Sequence, residues 1–306
     1  MKKKKASNLA ASVHHQLLSL AKKQEEDMSL VMKRYSIERF LFRLSKSRYS
    51  EQYILKGAML FFLWKMRSYR PTKDLDLLGY GDGSQEILRG HFEEICAIEV
   101  EEDGLVFDPK SISIEEIRED QEYQGQRVLL KAKLAKAEIQ LQIDIGFGDI
   151  VTPEAEIAEY PALLGFPAAI IRAYPRESVV AEKLQAAVAL GMLNSRMKDL
   201  YDIWAMSQEF EFAGQILVRA IEATFKRRHT GIPSEPPIAL TQEFSNEPQK
   251  VKLWKTFLER NRLSAGNREL RRVIEDLNGF LIPPLGAIKR GQDFIKTWPA
   301  GGPWEQ

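Results

Sequence analysis

Between Gly125 and Phe147 the chain reads GQRVLLKAKLA, then Lys136, then AEIQLQIDIGF. Apolar and polar residues alternate on both sides of the break, and a period of two is the mark of a strand with one face covered. Two such runs joined near Lys136 predict an antiparallel pair. A lone pair is marginal in water, so it must pack on other elements. The chain supplies them. Residues 30–50 have helical spacing, with Leu30, Tyr35, Phe40, Leu41 and Leu44 on one face, and 84–96 also reads as a helix. KDLDLLGYG reads as a strand stopped by Gly79 and Gly81. YILKGAMLFFLW (53–64) predicts a short apolar segment, a Lys56-Gly57 turn and an apolar helix. Residues 151–167 read as irregular and proline-marked. From Glu177 onward the pattern is helices and short loops, broken at Pro233, Pro236 and Pro237 and again at LIPPLG (281–286). The expected class is α+β: a mixed or antiparallel sheet flanked by helices, followed by a helical domain. The expected boundaries are a basic extension over 1–29, a core over 30–167 and helices over 168–306.

Composition narrows the class. The chain has 306 residues, 44% hydrophobic and 28% charged, which suits a globular protein with a sizeable core. The single cysteine, Cys96, excludes an internal disulfide framework and fits a reducing cytoplasm. No apolar run approaches the roughly 20 residues that span a bilayer. The N-terminus begins like a signal peptide, but His14, His15 and Gln16 interrupt its apolar part. It is read as a frayed basic lead into a helix. Charge is uneven: residues 1–70 carry +11, 71–165 carry −14 and 166–306 carry +4. An acidic middle with basic flanks suits cations at the centre and a polyanion at the edges. Acidic loops such as EVEED (99–103) are read as solvated. Lys33, Arg34, Arg39, Arg43, Lys46 and Arg48 make the 30–50 helix the best candidate for an RNA-facing surface. FKRRHT (225–230) and NRELRR (267–272) read as helix-end charges or phosphate contacts.

Three carboxylates stand out. Asp74 and Asp76 are two apart in a leucine strand, so they share a face while Leu75 and Leu77 point the other way. Two like charges so close repel unless a cation intervenes. Mg²⁺ takes carboxylate oxygens and keeps positions for water or phosphate. Asp144, between Ile143 and Ile145, can join them if its strand lies beside theirs. A solvated strand end remains the alternative for Asp74, and Asp149 is read as a turn cap. Upstream, Gly57 and Lys56 form either an ordinary turn or a phosphate-binding one. The four histidines lack zinc-like spacing with a cysteine, and neither G-x-S-x-G nor G-x-x-x-x-G-K-[ST] occurs.

Downstream, PRESVVAEKLQAAVALGM is a helix on which Lys183 either snorkels or reaches a phosphate. In SRMKDLYDIWAM, Ser195 is a candidate cap and Met197, Leu200 and Trp204 pack together. Asp199 and Asp202 stand at i, i+3, and a Lys198–Asp202 surface pair would account for the latter.

LKGAMLFFLW, RPTKDLDLLG, LQIDIGFGDIVTP, YPRESVVAEKLQA and NSRMKDLYDIW, in this order over roughly 33–206, resemble the AbiEii/AbiGii toxin family of the DNA polymerase β-like nucleotidyltransferases. Ala58 departs from the second glycine or serine of many relatives. The resemblance implies a bacterial toxin of toxin–antitoxin and phage-defence systems. It implies NTP as substrate, Mg²⁺ or Mn²⁺, a tRNA 3′ end as acceptor, and a winged-helix antitoxin encoded alongside. It implies metal ligation by Asp74, Asp76 and Asp144, and nucleotide binding by Lys56, Gly57, Ala58, Arg70, Thr72 and Lys183. Asp199 and Asp202 match motifs serving nucleotide binding and catalysis, one of them orienting Lys183 or the base. Nucleotidylation of a protein side chain, or a silent binding module, are the competing expectations.

Overall fold

The computed structural model describes residues 2–66, 70–118, 124–263 and 269–306. The chain divides into two compact units. The first holds 1–65, 71–148 and 156–173, and the second 66–70, 149–155 and 174–306. Among the described residues no helix is long and apolar enough to cross a membrane.

In the first unit, helices α1 (Lys2–Gln24) and α2 (Met28–Lys46) precede strand β1 (Tyr53–Lys56). A 3₁₀ turn, Gly57–Met59, and α3 (Leu60–Leu63) lead towards β2 (Leu75–Gly79) and α4 (Gln85–Ala97). Then come β3 (Leu105–Arg118), β4 (Gln124–Leu134), β5 (Ala137–Phe147), β6 (Glu156–Tyr160) and β7 (Ala169–Ala173). They form one mixed sheet in the order β3-β4-β5-β2-β1-β7-β6. The hairpin read from sequence is β4–β5, turning at Ala135 and Lys136, with Leu134 opposite Ala137. β2 lies parallel to β5 and antiparallel to β1. Its buried residues Leu75, Leu77 and Leu78 fix its place in the middle of the sheet. The expected apolar helix after Gly57 is a single turn, and the stretch read as irregular contains β6.

α2 starts at Asp27, whose side chain accepts the Ser29 N–H, and it packs on β5 and β7. Its arginines do not face outward as expected. Arg34, Arg39 and Arg43 are buried. Arg39 Nε and Arg43 Nη1 lie 3.2 and 2.7 Å from Asp103 Oδ2, and Arg39 Nη1 donates to the Pro167 carbonyl at 2.8 Å. Asp103, expected in a solvated loop, is therefore the buried anion that receives them. Burying these cations demands such partners, which is why the helix carries them.

The second unit contains α5 (Arg176–Leu190), α6 (Met197–Glu209), β8 (Phe212–Ala213), α7 (Gly214–Arg227), α8 (Gln242–Asn246), α9 (Pro248–Arg260), α10 (Leu270–Arg290) and β9 (Thr297–Trp298). β8 pairs with β9. α10 runs through Pro283 and Pro284, where the sequence predicts a break. A proline at 284 cannot donate to the carbonyl four residues back. That carbonyl, on Phe280, instead accepts the Trp304 indole N–H at 2.9 Å. Asp149 is no turn cap: it holds Arg228 at 3.0 Å, which also removes Arg228 from the expected phosphate contacts. Of NRELRR, residues 267 and 268 lie outside the described residues, and Arg271 and Arg272 pair with Glu275.

Candidate active site

Strand register builds a polar line across the first unit. Lys56 on β1 stands opposite Asp76 on β2, Asp76 beside Asp144 on β5, and Asp144 opposite Arg127 on β4. Glu115 on β3 extends the line past Arg127. Asp74, just before β2, bears on the same line, since its charge acts on Arg127. The line reads cation, anion, anion, cation, anion.

Gly57 sits at φ +71°. A Cβ there would overlap the Asp76 carboxylate, so the turn needs glycine for its backbone and for the room it leaves. The ordinary-turn reading of Gly57 thereby gains a structural reason. The helix that follows is four residues long and offers almost no dipole, and Ala58 is buried. Lys56 is buried too. A Cβ on Gly146 would lie 3.2 Å from its Nζ, which places the ammonium over β2 against β5. Thr72, in the segment before β2, is half-buried.

Asp144 is held on both oxygens. Arg127 Nε donates to Oδ1 and Nη2 to Oδ2, each at 2.8 Å, and Gln142 Nε2 adds a 3.1 Å contact to Oδ2. This bidentate bond raises the guanidinium pKa above its ordinary value, with the Asp144, Glu115 and Asp74 charges acting the same way. Among the described residues no three His, Cys, Asp or Glu side chains form a metal-holding group. Asp74 and Asp76 are of the chemical type that suits a hard divalent ion, since both offer only carboxylate oxygen.

In the second unit, Lys183 is not a snorkelling surface lysine. Its Nζ donates to Asp199 Oδ1 at 2.6 Å and Asp202 Oδ2 at 2.9 Å. Both aspartates are buried, so the Lys198 surface pair is not formed as expected. Arg70, expected on the nucleotide, holds Asp202 at 3.0 and 3.2 Å. Arg196 holds the other oxygen of Asp199. Ser195 is not the cap; α6 begins after Arg196. Burial alone would lift the Asp199 pKa, but the charges of Lys183 and Arg196 outweigh it and hold the carboxyl well below the usual range. Burial would likewise lower Lys183, and the two aspartates reverse that. The result is a lysine held and kept charged by two acids.

Sequence reasoning missed Arg127 and Arg196. Arg127 was within reach: a two-residue turn at Ala135–Lys136 fixes the hairpin register, and counting back from Asp144 lands on it.

No curated protein sequence matches the chain. Two solved structures, both from Helicobacter pylori, align with it at 16% identity and a TM-score of 0.48. One is JHP933, matched over 83% of this chain and 90% of that one. The other, assigned as a nucleotidyltransferase, is matched over 84% and 95%. The profile described as nucleotidyl transferase AbiEii toxin, type IV toxin–antitoxin system, matches residues 39–276, well over half the chain. With that span covered, the chain belongs to the AbiEii family of type IV toxin–antitoxin nucleotidyltransferases.

Proposed function

We propose that this nucleotidyltransferase moves a nucleoside monophosphate from an NTP to the 3′ end of a tRNA and so blocks translation. The reading rests on one observation above all: Asp76 and Asp144 stand side by side on neighbouring strands, and Asp74 lies just before the first of them. Asp74 and Asp76 hold Mg²⁺ or Mn²⁺. When bound, the ion neutralises charge on the triphosphate. Asp144, fixed by Arg127, positions the acceptor hydroxyl. The hydroxyl oxygen attacks the α-phosphorus in line as its proton passes to the Asp144 carboxylate, the bond to the α–β bridging oxygen breaks, and pyrophosphate leaves. Lys56 is the cation beside the acids, and Lys183, held by Asp199 and Asp202, is the second lysine assigned to nucleotide binding. Arg70 acts through Asp202.

The choice of acceptor rests on the resemblance, some members of the family adding nucleotides to tRNA 3′ ends, rather than on α2, whose arginines are turned inward. The setting is the bacterial cytoplasm, with a winged-helix antitoxin encoded alongside and a role in phage defence. The test is incubation with total tRNA, Mg²⁺ and each α-³²P-labelled triphosphate in turn. Label on RNA 3′ ends, absent with Asp76→Asn, is the expected result. Label on a protein would overturn the acceptor, and no transfer from any triphosphate would overturn the activity.

A further inference from the structure

In the second unit, Lys250 is a buried cation that meets no acid among the described residues. It lies in the first turn of α9, where the helix dipole disfavours positive charge. Its Nζ donates to the Asn194 carbonyl at 3.0 Å and lies over the Phe244 ring, 5.3 Å from the centre. Burying an ammonium without a carboxylate is costly, and a methionine would fill the space without that cost. The lysine is therefore best understood through what it holds.

It holds the segment between α5 and α6. From Gly191 to Arg196 that segment buries one residue, Asn194, while Leu193 beside it is 85% exposed. Asn194 is thus the anchor, and Lys250 grips its carbonyl. The Asn194 side chain in turn accepts the Arg196 backbone N–H at 2.8 Å. Arg196 Nε donates to Asp199 Oδ2, and Oδ1 of the same carboxylate accepts from Lys183. A carboxylate is planar, so fixing one oxygen fixes the direction of the other. We infer that Lys250 is a positioning residue for nucleotide binding: through Asn194 and Arg196 it sets the Asp199 carboxylate, and so the place of the Lys183 ammonium. The inference rests on the proposed assignment of Lys183 to the nucleotide.

The experiment uses the full-length protein. The Lys183 ammonium is followed by ¹H–¹⁵N spectroscopy of ¹⁵N-lysine protein, its signal assigned by its absence in Lys183→Arg. Binding of ATP, CTP, GTP and UTP, each with Mg²⁺, is followed by calorimetry, with a thermal melt of each variant. Lys250→Met should shift or broaden the Lys183 signal and weaken the tightest-bound triphosphate about fivefold or more. In an Arg196→Met background the same substitution should change affinity by less than about twofold, because the path is already cut. A lysine that only props the fold would lower the melting midpoint, leave the Lys183 signal in place and cost the same in both backgrounds. Asn194→Ala, which cuts the path one link on, replaces Lys250→Met if that variant does not melt cooperatively. An unmoved Lys183 signal, or an equal loss of affinity in both backgrounds, would overturn the positioning role. A moved signal with unchanged affinity, or no triphosphate bound by the wild type, would instead overturn the assignment of Lys183 to the nucleotide.

Discussion

Gly57 carries two constraints at once, a left-handed backbone and a side chain that must not exist. Gly57→Ala should therefore cost about 1–3 kcal/mol of stability and push the Asp76 carboxylate aside. Turnover should fall at least about tenfold even at temperatures where the variant is folded, read by melting and single-turnover labelling. Lys183 bears a different load. Lys183→Met leaves Asp199 and Asp202 buried without their shared cation, at a cost of about 3–5 kcal/mol. The sign of its pH dependence follows from Asp199, whose pKa is depressed in the folded state. Such a group stabilises above its unfolded value, near 3.8, and that stability is lost as pH falls further. The gap between wild type and variant should be full at pH 7 and narrow in acid below that value, as urea midpoints would show. The sequence marked both residues. It gave no hint that Gly57 makes room for Asp76, because that contact depends on the pairing of β1 with β2.

Among the elements, α2 offers the sharpest pH test. Glu38 is fully buried, accepts the Leu163 N–H at 2.7 Å and lies beside Arg39. Burial pushes its carboxyl up to about 7 despite the Leu163 N–H and Arg39, which pull it down. A carboxyl with a raised folded pKa binds its proton more tightly in the native state. Stability should thus decline as pH climbs from about 4.5 through 7, by up to about 3 kcal/mol for this group. Glu38→Gln should flatten that decline in denaturant titrations between pH 5 and pH 8; an unchanged slope would sink the assignment. Legibility among the elements followed periodicity. The β4–β5 hairpin and β2 alternate cleanly and were readable. β3 was not, because a register shift between Asp108 and Ser113 interrupts its alternation. β6 hid for the opposite reason. At the edge of the sheet it turns Ile157 outward and only Tyr160 fully inward, so its apolar residues do not mark one face. α10 defied the proline rule because Trp304, far along the chain, supplies the missing donor.

Across the whole molecule, the sequence announced an acidic middle and basic flanks, yet part of the +11 of residues 1–70 lies inside, where Arg39 and Arg43 meet Asp103. Nor does chain order announce that residues 66–70 and 149–155 belong with the C-terminal helices. There Arg70 serves Asp202 and Asp149 serves Arg228, long-range pairings with no local pattern. The line from Lys56 to Arg127 reaches a larger conclusion. Asp76 and Asp144 each stand beside a cation of the same sheet, so folding should not wait for a metal or a nucleotide. A chelator should then silence the protein without denaturing it. EDTA should abolish labelling while the melt stays cooperative, and Mg²⁺ should raise the midpoint only by the few degrees that mass action allows. Loss of the cooperative melt in EDTA would contradict this balance. A protein built so can be made and stored in its folded form before any ion arrives, so that the ion of the proposed chemistry governs turnover and not folding.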